Sequence, residues 1–244
     1  MNMSPRYSII IPAYNEEKWL PRTLSAMEKA MKTMVVPGEI IVVDNNSSDQ
    51  TSRIAAQYNA RVVFEPVNQI SRARNTGAQV ARGRFFIFLD ADTFLSPTLL
   101  HTALNNLSSG VCCGGGCMVE MDTSMGHFNN KILDMWNWIS LTFGFAAGCF
   151  IYCLKEGFEA AGGFSEKVYA SEEIWFSRRL QAWGKRHGMD FRIITSPPIT
   201  TSSRKLNWFS PVQLVLTALV LTMFPFLLRF RSFCSHWYYR PKNM

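Results

Sequence analysis

An α/β fold built on a mostly parallel central sheet with helices on both faces is predicted by the order of apolar runs in the first 110 residues. Short β-branched runs alternate there with longer amphipathic stretches, in the rhythm β-α-β-α-β-α-β, and polar clusters follow the strands. Composition agrees: 244 residues, 48% hydrophobic and 18% charged, can bury a full core and exclude a disordered or fibrous chain.

Each element has its own warrant. Tyr7–Pro12 (YSIIIP) is the first buried strand, and Glu17–Met34 reads as a helix because Leu20, Leu24, Met27 and Met31 recur at three- and four-residue spacing. Glu39–Asp44 (EIIVVD) is a second strand, followed by a polar turn, NNSSD, that can cap a helix running to Tyr58. Arg61–Glu65 is a third strand, and a helix from Ser71 to Ala81 leads into a fourth, Phe85–Leu89 (FFIFL). Ser96-Pro97 then supplies an N-cap and first-turn proline for another helix. Beyond Val111 the pattern is less regular: His127–Phe145 reads as an aromatic helix and Glu172–Gly184 as an amphipathic one, both expected to build onto the same sheet. Cys112, Cys113, Cys117, Cys149, Cys153 and Cys234 show no C-x-x-C pairing and no nearby His, which predicts free, mostly buried thiols.

The net charge of +7 is local. Residues 1–184 hold 16 basic and 17 acidic side chains, whereas from Lys185 onward nine basic residues face the single acid Asp190. A near-neutral body argues against nucleic-acid binding, which needs basic residues spread over a surface with aromatics between them. The basic end encloses Phe209–Leu228, twenty residues without a charge, flanked by Arg204-Lys205 and by Arg229, Arg231, Arg240 and Lys242. A membrane span is one reading, but the heavier basic flank would lie on the wrong side of it, and Pro211 and Pro225 interrupt any helix. A segment lying on an anionic membrane surface, with Trp208, Trp237, Tyr238 and Tyr239 at the interface, fits better; a soluble docking helix is the third reading. The N-terminus carries an apolar run of only three isoleucines and no cleavage pattern, so no signal peptide is expected and the body is placed at the cytoplasmic face of the membrane, peripheral or C-terminally anchored, with a cytoplasmic location as the alternative.

In such a sheet, ligands bind outside the carboxyl ends of the strands, so PAYNEE, DNNSSD and DADT are the segments to inspect. In Asp90-Ala91-Asp92, alternate residues at a strand end point the same way, and two hard carboxylates facing one pocket suit Mg2+ or Mn2+ on a diphosphate leaving group. The same tripeptide is also an ordinary solvated turn. Asp44 can accept from a base N–H or a ribose hydroxyl. A dinucleotide site would need a glycine fingerprint where this chain has PAYNEE, and no phosphate-binding G-x-x-x-x-G-K-[ST] loop occurs.

Together and in register, IIIPAYNEE, VVDNNSSDQT, ARNTGAQVARGRFFIFLDADT and AAGGFSEKVYASEEIWFSRRLQAWG resemble the family-2 glycosyltransferases, over about Tyr7 to Gly184. The resemblance implies a GT-A fold, with a nucleotide-binding half over about 1–110 and an acceptor half over about 111–205. Residues 206–244 would form an apolar, helical, membrane-associating segment. It implies a UDP- or GDP-sugar donor bound by Pro12, Ala13, Tyr14, Glu16, Asp44, Arg74 and Asp90, with Tyr14 beside the base and Glu16 near the ribose. Asp92, with Asp90, would hold Mg2+ or Mn2+.

Where the family usually has a Glu-Asp pair opening a helix, this chain has Glu172-Glu173. Glu173 is thus the candidate base of an inverting transfer, with Glu172 orienting acceptor or base; acids in a first helical turn also simply offset the helix dipole. Asn75 would support a loop, and Gly162-Gly163-Phe164 would shape the acceptor pocket. Arg204 would reach the diphosphate, or with Lys205 touch phospholipid. The expected activity is metal-dependent transfer of a sugar to a lipid-linked or small amphipathic acceptor. The alternative is an inactive nucleotide-sugar-binding membrane scaffold.

Overall fold

The computed structural model describes residues 4–124, 126–204, 208 and 211–239. Its first half follows the expected alternation: β1 (Tyr7–Ala13), α1 (Leu20–Lys32), β2 (Gly38–Asp44), α2 (Thr51–Gln57), β3 (Arg61–Phe64), α3 (Ile70–Val80) and β4 (Phe85–Leu89). Then come β5 (Thr93–Phe94), α4 (Pro97–Ser108), β6 (Cys112–Met121), α5 (His127–Phe143), β7 (Phe150–Leu154), α6 (Lys155–Ala160), α7 (Glu172–Arg186) and β8 (Asp190–Thr201). α1 starts three residues later than its apolar spacing suggests, because Pro21 sits in its first turn and residues 16–19 form a separate turn. Ser96 caps α4 as expected, accepting from the Leu99 N–H at 3.2 Å.

Eight strands form one sheet in the order β3-β2-β1-β4-β7-β6-β8-β5. The expectation of a mostly parallel sheet holds only for its first half. β1 to β4 pair in parallel and β6 pairs in parallel with β8, but β7 enters antiparallel between β4 and β6, and β5 is antiparallel to β8, so the sheet is mixed. Helices cover both faces as expected. Ile9, Ile11, Val42, Ile87 and Leu89 point to the layer of α1 and α4, and Ile10, Ile41, Val43, Phe86 and Phe88 to the layer of α3, α6 and α7, the two-residue period of a sheet buried on both sides.

All six cysteines are free, five of them buried. The run CCGGGC is explained by packing: it forms β6, where a Cβ on Gly115 would lie 1.7 Å from the Arg192 carbonyl oxygen of β8 and one on Gly116 would lie 2.7 Å from Ala146. Side chains there would push the strands apart.

The C-terminal apolar stretch is not one helix: it breaks at Pro225, one of the two prolines expected to interrupt it. Helix α8 (Pro211–Met223) ends before Phe224, whose φ of −125° and ψ of 68° leave the helix, and Pro225 opens a 3-10 turn, Pro225–Arg229. A second turn, Arg231–Cys234, and the short α9 (Ser235–Tyr238) follow. No helix among the described residues is long and apolar enough to cross a membrane. Leu221, Leu228 and Cys234 bury themselves against Ala170, docking this arm on the loop before α7. Lys205, Phe209, Ser210, Arg240 and Lys242, together with the boundary expected at 205/206, lie outside the described residues.

Helix α3 rests on the sheet through Gly77, where a Cβ would meet Ile10 Cγ2 at 2.4 Å and Val43 Cγ2 at 2.9 Å. Two effects compete in Gly77→Ala: alanine gains about 0.5–1 kcal/mol of helix propensity, and overpacking a filled core costs about 1–3 kcal/mol. Packing wins, so Gly77→Ala should lower the urea midpoint without changing the m-value; a raised midpoint would contradict this helix–sheet contact.

Candidate active site

The carboxyl ends of β1 and β4 and the N-terminus of α7 meet at a cleft of about 190 Å³. Pro12 and Ala13 finish β1 and form part of its wall, followed by Tyr14 and Glu16. The chain turns there through Asn15, at φ 52°, a conformation asparagine tolerates better than most residues. The turn is laced to the one after β2: Asn15 N–H donates to Ser47 Oγ at 3.0 Å, Ser48 N–H to Asn15 Oδ1 at 2.8 Å, and Glu16 N–H to Thr51 Oγ1 at 2.8 Å. The two polar segments thus support one another.

Asp44 ends β2 level with Ala13, but it does not line the cleft. Its Oδ1 accepts from the Ser47 N–H at 3.0 Å, so its visible role is to turn the chain, and the neighbouring Asn45 reaches the cleft instead.

Arg74 projects from α3 into the floor of the cleft and is 1% exposed. Its guanidinium donates to Glu172 Oε1 at 2.6 Å, the Gly148 carbonyl at 2.8 Å and Asp90 Oδ1 at 3.1 Å, and it stands 5.1 Å from the centre of the Phe164 ring. Burial works against this charge, but the surrounding carboxylates outweigh it and raise the Arg74 pKa. Neighbouring Asn75 holds the loop before α7 by a reciprocal pair, donating to the Phe164 carbonyl and accepting from the Phe164 N–H, each at 2.9 Å. Gly163, at φ 63°, admits it: a Cβ there would lie 2.8 Å from Asn75 Oδ1.

Across the cleft, one Arg204 nitrogen contacts Glu16 Oε1 at 2.5 Å and Asp92 Oδ2 at 2.8 Å. Burial again opposes the charge, and Asp92 and Glu16 raise the Arg204 pKa regardless. Arg204 faces the cleft. Asp90 and Asp92 both line the cleft, and no cluster of three or more His, Cys, Asp or Glu forms among the described residues. Two hard carboxylates suit Mg2+ or Mn2+, which usually complete their coordination with water and substrate phosphate, so the donor set fits such an ion.

The two candidate acids of α7 differ. Glu172 is buried and turned onto Arg74, which makes it a positioning residue for that guanidinium. Burial raises its pKa more than Arg74 lowers it. Glu173 lines the cleft, and burial, followed by the adjacent Glu172 charge, pushes its carboxyl up to about 8 despite its place in a first helical turn.

Sequence reasoning missed part of the wall. Asn68 and Ile70 precede or open α3, Gly148 and Cys149 come from the turn before β7, and Trp237 and Tyr238 come from the C-terminal arm. Trp237 and Tyr238, expected as membrane-interface aromatics, instead wall the cleft, and Tyr238 Oη donates to the Tyr169 carbonyl at 3.0 Å. Arg231, expected against lipid, donates to Asn68 Oδ1 at 2.6 Å. Gly148 and Cys149 belong to no recognisable pattern, and only the fold brings them here. They also border a second groove, of about 330 Å³, between α5 and β6, which shares Gly148, Cys149 and Glu173 with the cleft.

Comparison with known proteins agrees with this geometry. The model of "Glycosyl transferase family 2" matches residues 8–158, more than half of the chain and all of the strand-end segments, though not Glu172, Glu173 or Arg204. Human dolichyl-phosphate beta-glucosyltransferase is 32% identical over 200 residues, covering 72% of this chain and 59% of that protein. Chondroitin synthase of Escherichia coli is 28% identical over 139 residues, covering 55% of this chain and 20% of that protein. The chain thus spans less than two thirds of the length of these relatives.

Among solved structures, S. aureus TarS 1-349 in complex with UDP-GlcNAc has a TM-score of 0.64 at 19% identity, covering 82% of this chain and 59% of that one. The mannosyltransferase PcManGT from Pyrobaculum calidifontis, in complex with GDP-Man and Mn2+, has a TM-score of 0.62 at 20% identity, covering 83% and 57%. These likenesses establish the α/β nucleotide-sugar transferase fold of the GT-A type, and the family match identifies the enzyme: the chain belongs to glycosyl transferase family 2.

Proposed function

We propose that the cleft transfers a sugar from a UDP- or GDP-sugar to a lipid-linked or other amphipathic acceptor, with inversion at the anomeric carbon and with Mg2+ or Mn2+ bound. The observation that carries this reading is the convergence of Asp90, Asp92, Arg204 and Glu173 on one cleft at the carboxyl ends of β1 and β4. Relatives and neighbours named for dolichyl phosphate, UDP-GlcNAc, GDP-Man and Mn2+ support the donor class, the ion and a lipid-linked acceptor.

Pro12, Ala13, Tyr14 and Glu16 would wall the nucleoside, with Asn45 taking the cleft position expected for Asp44. Asp92, assisted by Asp90, would hold the divalent ion, which when bound supplies positive charge to the diphosphate. Arg204 adds a charge-assisted donor beside it. Arg74 orders Asp90 and, through Glu172, the first turn of α7.

In the transfer, the acceptor oxygen forms a bond to the anomeric carbon while the bond from that carbon to the diphosphate oxygen breaks. The nucleoside diphosphate leaves with the bonding electron pair, and ionised Glu173 takes the proton of an attacking hydroxyl. Its carboxyl is neutral below about pH 8, so the base forms as pH rises through that value. The surface arm of α8 and the turns after it exposes Leu216, Leu219, Met223, Phe224, Phe226 and Phe230, which supports a peripheral seat on a membrane with residues 206–244 as the associating segment; the reading places that seat at the cytoplasmic face.

With labelled donor and Mg2+ or Mn2+, Asp92→Ala should bring transfer to background, and unchanged turnover would refute the metal assignment. Glu173→Gln should slow transfer to a hydroxyl by roughly 10²–10⁴-fold and leave donor affinity intact, while the natural enzyme's kcat/KM rises with pH through about 8. Folding raises the Glu173 pKa from 4.5, so the natural protein should also lose stability relative to Glu173→Gln as pH climbs from 4.5 to about 8. A flat pH profile, or loss of donor binding in this variant, would remove Glu173 as the base. Donor binding with no transfer to any acceptor would favour the inactive scaffold.

For the membrane seat, deleting the arm is a poor test because Trp237 and Tyr238 wall the cleft. Phe226→Glu with Phe230→Glu should instead abolish co-flotation with anionic vesicles and leave UDP and GDP binding unchanged. Undiminished flotation would contradict it.

A further inference from the structure

The groove between α5 and β6 adjoins the cleft at its reacting end, since Gly148, Cys149 and Glu173 border both. Its remaining walls are apolar for the most part: Val119 and Met121 of β6, and Ile132, Leu133 and Trp136 of α5. Among the described lining residues there is no Lys, Arg or His, and Glu173 is the one carboxyl. The two arginines of the cleft are already engaged, Arg74 by Glu172 and Asp90, and Arg204 by Glu16 and Asp92. A phosphate in the groove would lose its hydration beside a carboxyl with no counter-charge of the groove's own. One polar atom, Asn129 Oδ1, is buried at the groove without a hydrogen-bond partner and calls for an O–H or N–H donor.

We propose that this groove is the acceptor site and that it takes the apolar part of an uncharged, hydroxyl-bearing amphiphile rather than of a lipid phosphate. The proposal rests on the transferase reading above and narrows its acceptor class. The groove leads to Glu173, the group positioned to take the proton that a hydroxyl must lose and that an ionised phosphate does not carry. In the transfer, the hydroxyl oxygen bonds to the anomeric carbon, its proton passes to the Glu173 carboxylate, and the nucleoside diphosphate departs. Asn129 would accept from a second hydroxyl of the same molecule.

The test measures binding of two amphiphiles with matched chains, n-octyl β-D-glucoside and n-octyl phosphate, to the full chain by calorimetry below their micelle concentrations. UDP and GDP are titrated with Mn2+ in the same preparations. The glucoside should bind at one site about tenfold tighter than the phosphate, a difference of roughly 1.4 kcal/mol. Ile132→Ala, which removes apolar wall, should weaken the glucoside about tenfold. Ile132→Lys, which adds the missing cation, should reverse the preference. Equal or tighter phosphate binding to the natural protein, no binding of either amphiphile, or glucoside binding indifferent to both substitutions would overturn the proposal; the last would place the amphiphile on exposed apolar surface. Failure to bind UDP and GDP would instead count against the transferase reading, whichever way the amphiphiles divide.

Discussion

The buried guanidinium of Arg74 is the constraint around which the rest of the site is arranged. Removing a cation from water costs several kcal/mol even after relaxation, so it persists only with close partners. Arg74 finds three on different elements: Asp90 after β4, the Gly148 carbonyl before β7, and Glu172 at the start of α7. One side chain of α3 thereby ties together the end of β4, the turn before β7 and the start of α7. A side chain at 148 would crowd this arrangement, because its Cβ would stand 3.2 Å from the Arg74 Nη2.

The same network sets up the chemistry next door. Burial is the largest cause of the raised Glu173 carboxyl, and the adjacent Glu172 adds to it, since ionising Glu173 would put a further negative charge beside a cluster in which Arg74 already faces two carboxylates. That accounts for a carboxyl displaced to about 8, in the range where a general base serves at moderate pH. Arg204 repeats the arrangement on the other wall with Glu16 and Asp92. Before ligands arrive the cleft thus holds two arginines, each paired with two carboxylates, and a diphosphate would meet guanidinium groups whose positions are already determined.

Much of this was legible in the residues. β-Branched runs with amphipathic spacers marked β1 to β4, the rule that ligands sit at strand ends selected PAYNEE and DADT, and the family resemblance singled out Pro12, Ala13, Tyr14 and Glu16; these four, with Asp90 and Asp92, line the cleft. Asp44 shows the limit: its position at the end of β2 was right, but whether its carboxylate faces the cleft or caps its own turn depends on Ser47 and the chain direction. The second half was harder because its strands lack the expected signature. β6 is rich in Gly and Cys because β8 and residue 146 approach it closely, and β8 contains Pro197 and Pro198, which read as breakers. Trp237 and Tyr238 read as membrane anchors because composition gives no hint that the arm folds back onto residues 68–70 and 168–170.

The Arg74–Glu172 pair is the central interaction of the site, and a double-mutant cycle in urea unfolding measures it most directly. Arg74→Met and Glu172→Gln should each destabilise the protein, the former by about 3–5 kcal/mol because it strands buried carboxylates. The double variant should cost clearly less than the sum of the two, by about 1–3 kcal/mol. Additive losses would mean that the two side chains do not depend on each other, and that something else joins α3 to α7 at the site.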